Sequence, residues 1–274
     1  MSDAANPSTA AIAAVTARGR SSRARWLRPT RVVGSVVVIY IIWSLAATRL
    51  PAYLLPAPAA VWDSFLDAFS RGVWTAEVLA TLQQMVISFG AVLVIGLPLG
   101  ILIGRSRIAE DLTRIPLIFL QTVPTIVLIA LALIVLGANE SSVIAVTIAG
   151  SITYFLLNVI QGTRAIDQDL VDMARAYQSR ESVIMRSIVL PSVVPYFLAG
   201  ARVALGVSWQ ITLFAEYLTG APGIGFQVST AIKLLDTKAV FMWGLSVVVL
   251  TVIFEYGIFR PVERYLTRHR KEAS

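Results

Sequence analysis

The sequence predicts an all-α integral membrane protein with six transmembrane spans. Three observations carry that prediction. Of 274 residues, 57% are hydrophobic and only 14% charged, with a mean hydropathy of +0.75. A water-soluble domain has no use for so much apolar surface, so lipid must solvate much of the chain. Apolar runs long enough to cross ~30 Å of hydrocarbon at ~1.5 Å per residue recur along the chain. Finally, the formal charge of +7 sits in short blocks between those runs, which argues against a nucleic-acid-binding stripe.

Residues 1–31 form an Ala/Ser-rich and then basic arm, with Arg18, Arg20, Arg23, Arg25, Arg28 and Arg31. It is expected to be disordered and held near anionic lipid headgroups. Residues 32–48 make the first span. A cleaved signal peptide ending near Ala46 and Ala47 is the rival, but the preceding polar region is long for that role and an uncleaved span is favoured. Residues 49–75 begin with Pro51, Pro56 and Pro58 and continue as a mildly amphipathic stretch around Trp62, Phe65 and Phe69. This reads as an external loop followed by an interfacial helix. The second span covers 78–103. Its Gly96, Gly100 and Gly104 recur every fourth residue and leave a flat stripe for a neighbouring helix, and Pro98 is expected to kink it. Arg105, Arg107 and Arg114 mark a short inner loop. The third span, 115–136, is interrupted by Gln121, Thr122 and Pro124. A turn over 137–141 leads to the fourth span at 142–161, and a polar loop occupies 162–191. The fifth span covers 194–218. Residues 219–238 contain Pro222, Gly223 and Gly225, the composition of a turn or re-entrant piece. The sixth span covers 239–259. The chain thus divides into an arm (1–31), one six-helix domain (32–259) and a basic tail (260–274).

Charge asymmetry sets the expected orientation. The arm, the loop after span two, the loop over 162–191 and the tail hold nearly all of the 23 Lys and Arg. Only Arg49, Arg71, Lys233 and Lys238 fall in segments on the other side, with Arg202 inside span five. The positive-inside rule then puts both termini and the 162–191 loop in the cytoplasm of a multi-pass inner-membrane protein.

Catalytic chemistry finds little support. There is no G-x-x-x-x-G-K-[ST] phosphate loop, no G-x-S-x-G and no H-E-x-x-H. Cysteine is absent and the single histidine, His269, lies in the charged tail, so no metal site and no catalytic residue is assigned. A transporter that moves solute uphill without a nucleotide site needs an ion gradient or a partner ATPase.

The stretch 172–191, DMARAYQSRESVIMRSIVLP, is a mixed-charge island in this apolar chain. Leu170, Met173, Ala174 and Tyr177 fall at helical spacing, and Ile184 and Ile188 begin a second face beside Met185 and Val189. Two readings stand at this point: two short amphipathic helices that fit a partner's groove, or an interfacial hairpin on headgroups. The segment resembles the cytoplasmic signature of ABC importer permeases: E-A-A, three residues, G, nine residues, I, any residue, L-P. Asp172, Met173 and Ala174 stand at the EAA positions, Gln178 at the glycine, and Ile188, Leu190 and Pro191 complete it. Asp keeps the charge, whereas Gln replaces a residue that tolerates positive φ. Further stretches resemble the nitrate/sulfonate/taurine branch of that family: the run 195–206, Ala215-Glu216, Gly223-Ile224-Gly225, and Leu54 to Pro58.

The resemblance implies a six-span, type I (MetI-like) permease fold and a coupling segment at Asp172, Met173, Ala174, Arg175, Ala176, Tyr177, Gln178, Ser179 and Arg180. It also implies two permease copies, a homodimer in the simplest case, a separate ABC ATPase that carries the ATP and Mg, and a periplasmic or lipid-anchored solute-binding protein. No cofactor is then expected in this chain itself. The solute would be a small anion or zwitterion such as a sulfonate, taurine or nitrate. An aromatic acid or a pyrimidine-type vitamin precursor is the alternative, and a gradient-driven secondary transporter is the alternative of another class. Polar residues inside spans are expensive in hydrocarbon. Gln121, Thr122, Asn158, Gln210, Thr212 and Glu216 are therefore candidates for the translocation path, with helix–helix hydrogen bonding as the plainer reading of each.

Overall fold

The structure is a computed structural model that describes residues 34–259 and 261; the basic arm, the first residues of span one and nearly all of the tail lie outside the described residues. Contacts divide the chain into two units, Met1–Asp63 and Ser64–Ser274.

In the first unit, α1 spans Gly34–Ala47. Its Val36, Ile39, Ile42 and Leu45 are exposed, the pattern of a helix that expects lipid. From within it, the Trp43 indole donates to the Pro56 carbonyl at 3.0 Å and gathers the proline-rich loop. Helix α2, Pro58–Ser70, begins in the first unit and continues past its boundary at Asp63; it opens on a proline, which costs the first turn no hydrogen bond.

The second unit carries the helical core. Gly72, at φ 72, starts α3, Val73–Arg105. Ser106 caps α4, Arg107–Thr122, by accepting from the Ala109 amide, and α5 covers Thr125–Leu136. Asn139 caps α6, Glu140–Arg164, by accepting from the Ser142 amide. Then come α7, Gln168–Ala176, and α8, Glu181–Ile184, which continues through a π turn at Met185–Val189 into α9, Leu190–Thr219. Helices α10, Ile224–Lys233, and α11, Thr237–Ile253, follow, and a second π segment, Phe254–Phe259, ends the described helix.

Helix α6 is the centre, packed most extensively against α9 and α3. The glycine stripe of α3 lies against it in register. A Cβ placed at Gly96 would come within 2.5 Å of Phe155 Cδ1, at Gly100 within 2.6 Å of Val159 Cγ1, and at Gly104 within 2.6 Å of Thr163 Cβ. Only glycine lets the two backbones approach this closely, and each facing side chain fills the space one turn further on. On the other side of α6, Gly200 of α9 sits against Asn158 and the Phe155 carbonyl. Val92, Phe155, Val159, Ala201 and Ala204 form the centre of the shared core. The outward stripe of α3 (Leu79, Val86, Val94, Leu102) stays exposed, as a lipid-facing surface should.

Two expectations need correction. The third span is not a single straight crossing: α4 and α5 meet at 98°. Pro124 has no N–H and forces Val123 out of the helical region, to φ −65 and ψ 124. Helix α4 also begins eight residues earlier than the span expected at 115. The polar loop, in turn, does not hold two separate short helices. Only α7 stands alone, and the stretch from Glu181 runs without a break into α9. Pro191 removes the N–H that Ser187 would need, and the π turn absorbs the defect because Leu190 bonds back five residues to the Met185 carbonyl. The second π segment likewise precedes a proline, Pro261.

By length and apolarity, three helices of the described residues are able to cross a membrane: α3, α6 and Glu181–Thr219. The bent pair α4–α5 makes a fourth if counted as one span, and α1 and α11 are shorter apolar helices.

The packing predicts that Gly100→Ala destabilises the fold by about 1–3 kcal/mol, because Val159 has no room to yield. Gly90→Ala, where a new Cβ meets nothing within 4 Å, should stay within about 0.5 kcal/mol. Denaturant unfolding of the two variants in detergent checks this.

Candidate functional site: a docking turn and an intramembrane polar path

The turn after α7 is built from the core outwards. Asp167 caps α7, accepting from the Asp169 amide. Ile166 and Val171 are buried with Ile184 and Val189, and Ala174 packs against the same cluster. One side of α7 is thereby fixed to the helical core. The opposite side presents Leu170, Met173 and Tyr177 to the outside, at 46%, 53% and 81% exposure. The apolar face read from the sequence therefore splits: Ala174 anchors, while the other three form an open stripe at i, i+3 and i+7.

The helix ends in a complete Schellman motif. The Gln178 amide donates to the Arg175 carbonyl at 2.8 Å, and the Ser179 amide to the Ala174 carbonyl at 3.0 Å. The motif requires a left-handed residue between them, and Gln178 has φ 55. The position where the signature has glycine thus keeps the glycine conformation without the glycine.

Charges brace this turn. Glu181 accepts from Arg105 at the end of α3 (3.3 Å) and from Arg175 (3.2 Å), which also lies 3.8 Å from Asp172. Arg164, at the end of α6, pairs with Glu110 of α4. Exposed pairs of this kind are screened by solvent and contribute little stability, so the apolar anchors hold α7 and the ion pairs set its direction. Arg105 was read from the sequence only as a marker of the inner loop, and Glu110, Arg164 and Glu181 were not singled out. Their local signal is placement at helix ends, with Glu110 and Glu181 in first turns and Arg105 and Arg164 in last turns, where the helix dipole favours each sign. Of the expected coupling residues, Asp172, Met173, Arg175, Ala176, Tyr177, Gln178 and Arg180 are exposed, and Ala174 and Ser179 are half-buried.

The polar residues expected inside the spans separate into groups. Gln121 and Gln210 line one cavity of about 360 Å³ together with Tyr154. Thr212 is buried and shares a hydrogen bond with Thr147 at 3.2 Å. Asn158 donates to the Tyr154 carbonyl at 2.9 Å, and Thr122 to the Ile118 carbonyl at 2.7 Å. Glu216, fully buried, does something different. One of its oxygens accepts from Thr81 at 3.0 Å and from the Gly225 amide at 2.9 Å. Glu77 accepts from the Gly223 amide at 2.6 Å and from Gln227 at 2.8 Å. The two carboxylates pin the segment before α10 onto α3 and α9. Gly223, at φ 146, and Gly225 are required there, because a Cβ would collide with the Glu216 carboxylate at the first and with the Leu213 carbonyl at the second.

Comparison with known proteins agrees with this architecture. Residues 96–259 match the family model for the binding-protein-dependent transport system inner membrane component. The chain is 26% identical over 226 residues to a probable ABC transporter permease protein of Brucella abortus, covering 82% of this chain and 90% of that one. It is 24% identical to the taurine transport system permease protein TauC of Escherichia coli, covering 90% and 94%. It is 29% identical over 201 residues to the nitrate import permease protein NrtB of Synechocystis, covering 70% and 73%. Among solved structures, a chain of the MetNI methionine ABC transporter in inward-facing conformations matches with a TM-score of 0.59 at 20% identity, covering 72% of this chain and 95% of that one. The match over 96–259, laid on an all-α body with apolar helices of spanning length, means that the chain belongs to the inner-membrane components of binding-protein-dependent transport systems, the permease subunits of ABC importers.

Proposed function

We propose that this chain forms the solute pathway of an importer for a small anion or zwitterion of the sulfonate, taurine, nitrate or bicarbonate type, and that a separate ATPase drives it by docking on α7. The observation that carries the coupling reading is the exposed stripe Leu170–Met173–Tyr177, held on a helix whose other side is locked into the core. Amphipathic helices with open apolar anchors fit a hydrophobic groove. Taurine, nitrate and bicarbonate are the solutes named for relatives of this chain, and they share small size and acceptor oxygens.

In this reading two copies of the chain, a homodimer in the simplest case, stand side by side with both termini in the cytoplasm. ATP and Mg bind to the ATPase, and a solute-binding protein delivers solute on the other face. Closure of the ATPase pair moves α7. Because Glu181–Thr219 is one helix of 39 residues, a displacement at the turn travels as a rigid lever over ~58 Å. At its far end Glu216 accepts from the Gly225 amide at the start of α10, so that segment responds to the inner turn. Close-packed cores respond to such a push by switching between discrete packings.

Three outcomes test this. Tyr177→Asp should weaken ATPase association by about thirtyfold or more, as expected for an aromatic anchor, and abolish ATP-driven uptake in proteoliposomes while leaving thermal unfolding of the permease unchanged; uptake that persists without any ATPase would make it a gradient-driven transporter. Gln178→Gly should relieve a left-handed side chain worth about 1 kcal/mol, raising hydrogen-exchange protection of the Ser179 amide about fivefold. The chain has no cysteine, so single cysteines report sidedness cleanly. Tyr177→Cys should react with an impermeant maleimide only from the cytoplasmic side and Leu235→Cys only from outside.

A further inference from the structure

Helix α9 carries an arginine in its middle third. Arg202 lies 12 residues beyond Leu190, about 18 Å along the helix, and pairs with Glu255 of the second π segment. An ionisable pair at this depth is costly in hydrocarbon and is retained for a reason. The two side chains open onto a cavity of about 480 Å³ lined also by Gly206, Trp209, Gln210 and Phe254. Arg202, Gly206 and Trp209 share one face of α9 at i, i+4 and i+7. A Cβ at Gly206 would meet nothing within 4 Å, so the glycine leaves the cavity wide open. Trp209 is buried, its ring 5.6 Å from that of Phe254. Its indole nitrogen has no hydrogen-bond partner among the described residues. Indole N–H is a donor only, and leaving it buried and unbonded costs stability.

We propose that this cavity is an intramembrane site for a small oxyanion, in which the Arg202 guanidinium and the Trp209 indole N–H bind the oxygens and Glu255 is the built-in carboxylate that the anion displaces from Arg202. The proposal rests on the reading of the chain as an anion pathway and names a place on it. The donor set decides the ligand class. A guanidinium presents a planar fork of N–H groups that matches carboxylate-like and sulfonate-like oxygens, and the indole and the Gln210 amide add neutral donors. A cation would meet Arg202 beside the single carboxylate. Glu255 neutralises Arg202 while the site is empty, which keeps a bare charge out of the hydrocarbon. It sits in a π segment, where the looser register gives the backbone room to move. Gln210 and Val207 also line the cavity that holds Gln121 and Tyr154, so an anion leaving Arg202 meets neutral amide and phenol donors next.

The test uses the full-length permease in nanodiscs, followed by thermal unfolding against rising nitrate, taurine or bicarbonate at constant ionic strength. At least one of the three should stabilise the wild type saturably. Trp209→Phe, which keeps an aromatic ring, should weaken the apparent affinity about tenfold or more, and Arg202→Gln should abolish the shift. Glu255→Gln should strengthen binding, because it removes the competing carboxylate; a merely structural ion pair would instead leave the anion shift unchanged in both charge variants. If Arg202→Gln fails to fold, Trp209→Phe and Glu255→Gln decide between the two outcomes. No saturable shift in either the wild type or Glu255→Gln, or equal shifts in all variants, would overturn the site. ATPase association and its loss in Tyr177→Asp are read on the same preparations. A missing anion shift with intact association removes the site alone, whereas an anion shift without association removes the coupling reading alone.

Discussion

Everything in the second unit depends on how closely α3, α6 and α9 approach one another. Helices in lipid gain nothing from hiding apolar side chains, since the tails around them are as apolar as leucine. What holds them is contact, and contact needs small residues opposite large ones. Gly96, Gly100 and Gly104 receive Phe155, Val159 and Thr163, while Gly162 receives Tyr196 and Gly200 lies against Asn158. Helix α6 is therefore packed through small residues on both sides, and it sets the position of α9, the helix that joins the turn to the polar interior.

Proline then determines where this framework bends. A missing N–H leaves a carbonyl unpaired, and in hydrocarbon such a group must be satisfied or avoided. Three prolines do this differently. Pro124 breaks the chain at 98°, Pro98 stays inside an unbroken α3, and Pro191 is accommodated by a π turn that keeps α8 and α9 continuous. The last case keeps the turn after α7 joined to a spanning helix: a break at Pro191 would separate Glu181 from α9, whereas the π turn leaves Glu181–Thr219 continuous. Polar groups also divide in two, some bonded into the packing and others lining a cavity. Glu77 and one oxygen of Glu216 accept from backbone amides and from the Thr81 and Gln227 side chains and hold a loop, the other Glu216 oxygen has no hydrogen-bond partner among the described residues, and Gln121, Gln210 and Tyr154 surround open space.

The sequence by itself determined that the protein lives in lipid, where the three longest apolar helices fall, and that 172–191 is a mixed-charge island between them. These follow from composition, hydrophobic run length and charge position, which act locally and leave a one-dimensional trace. It also marked Gln178 as the residue under strain, because the conformation needed after a helix C-terminus is a local property. Tertiary structure alone decided the rest. That Ala174 anchors while Tyr177 is presented depends on which side of α7 meets Ile184 and Val189. The roles of Arg105, Arg164 and Glu110 depend on helix ends far apart in sequence meeting at one place. The consequence of each proline depends on whether the neighbouring helices leave room to bend or force the backbone to stay in register. Long-range packing chooses among options that local chemistry leaves equal, and for that reason the continuous helix from Glu181 to Thr219, with Glu216 near its end, became visible only in three dimensions.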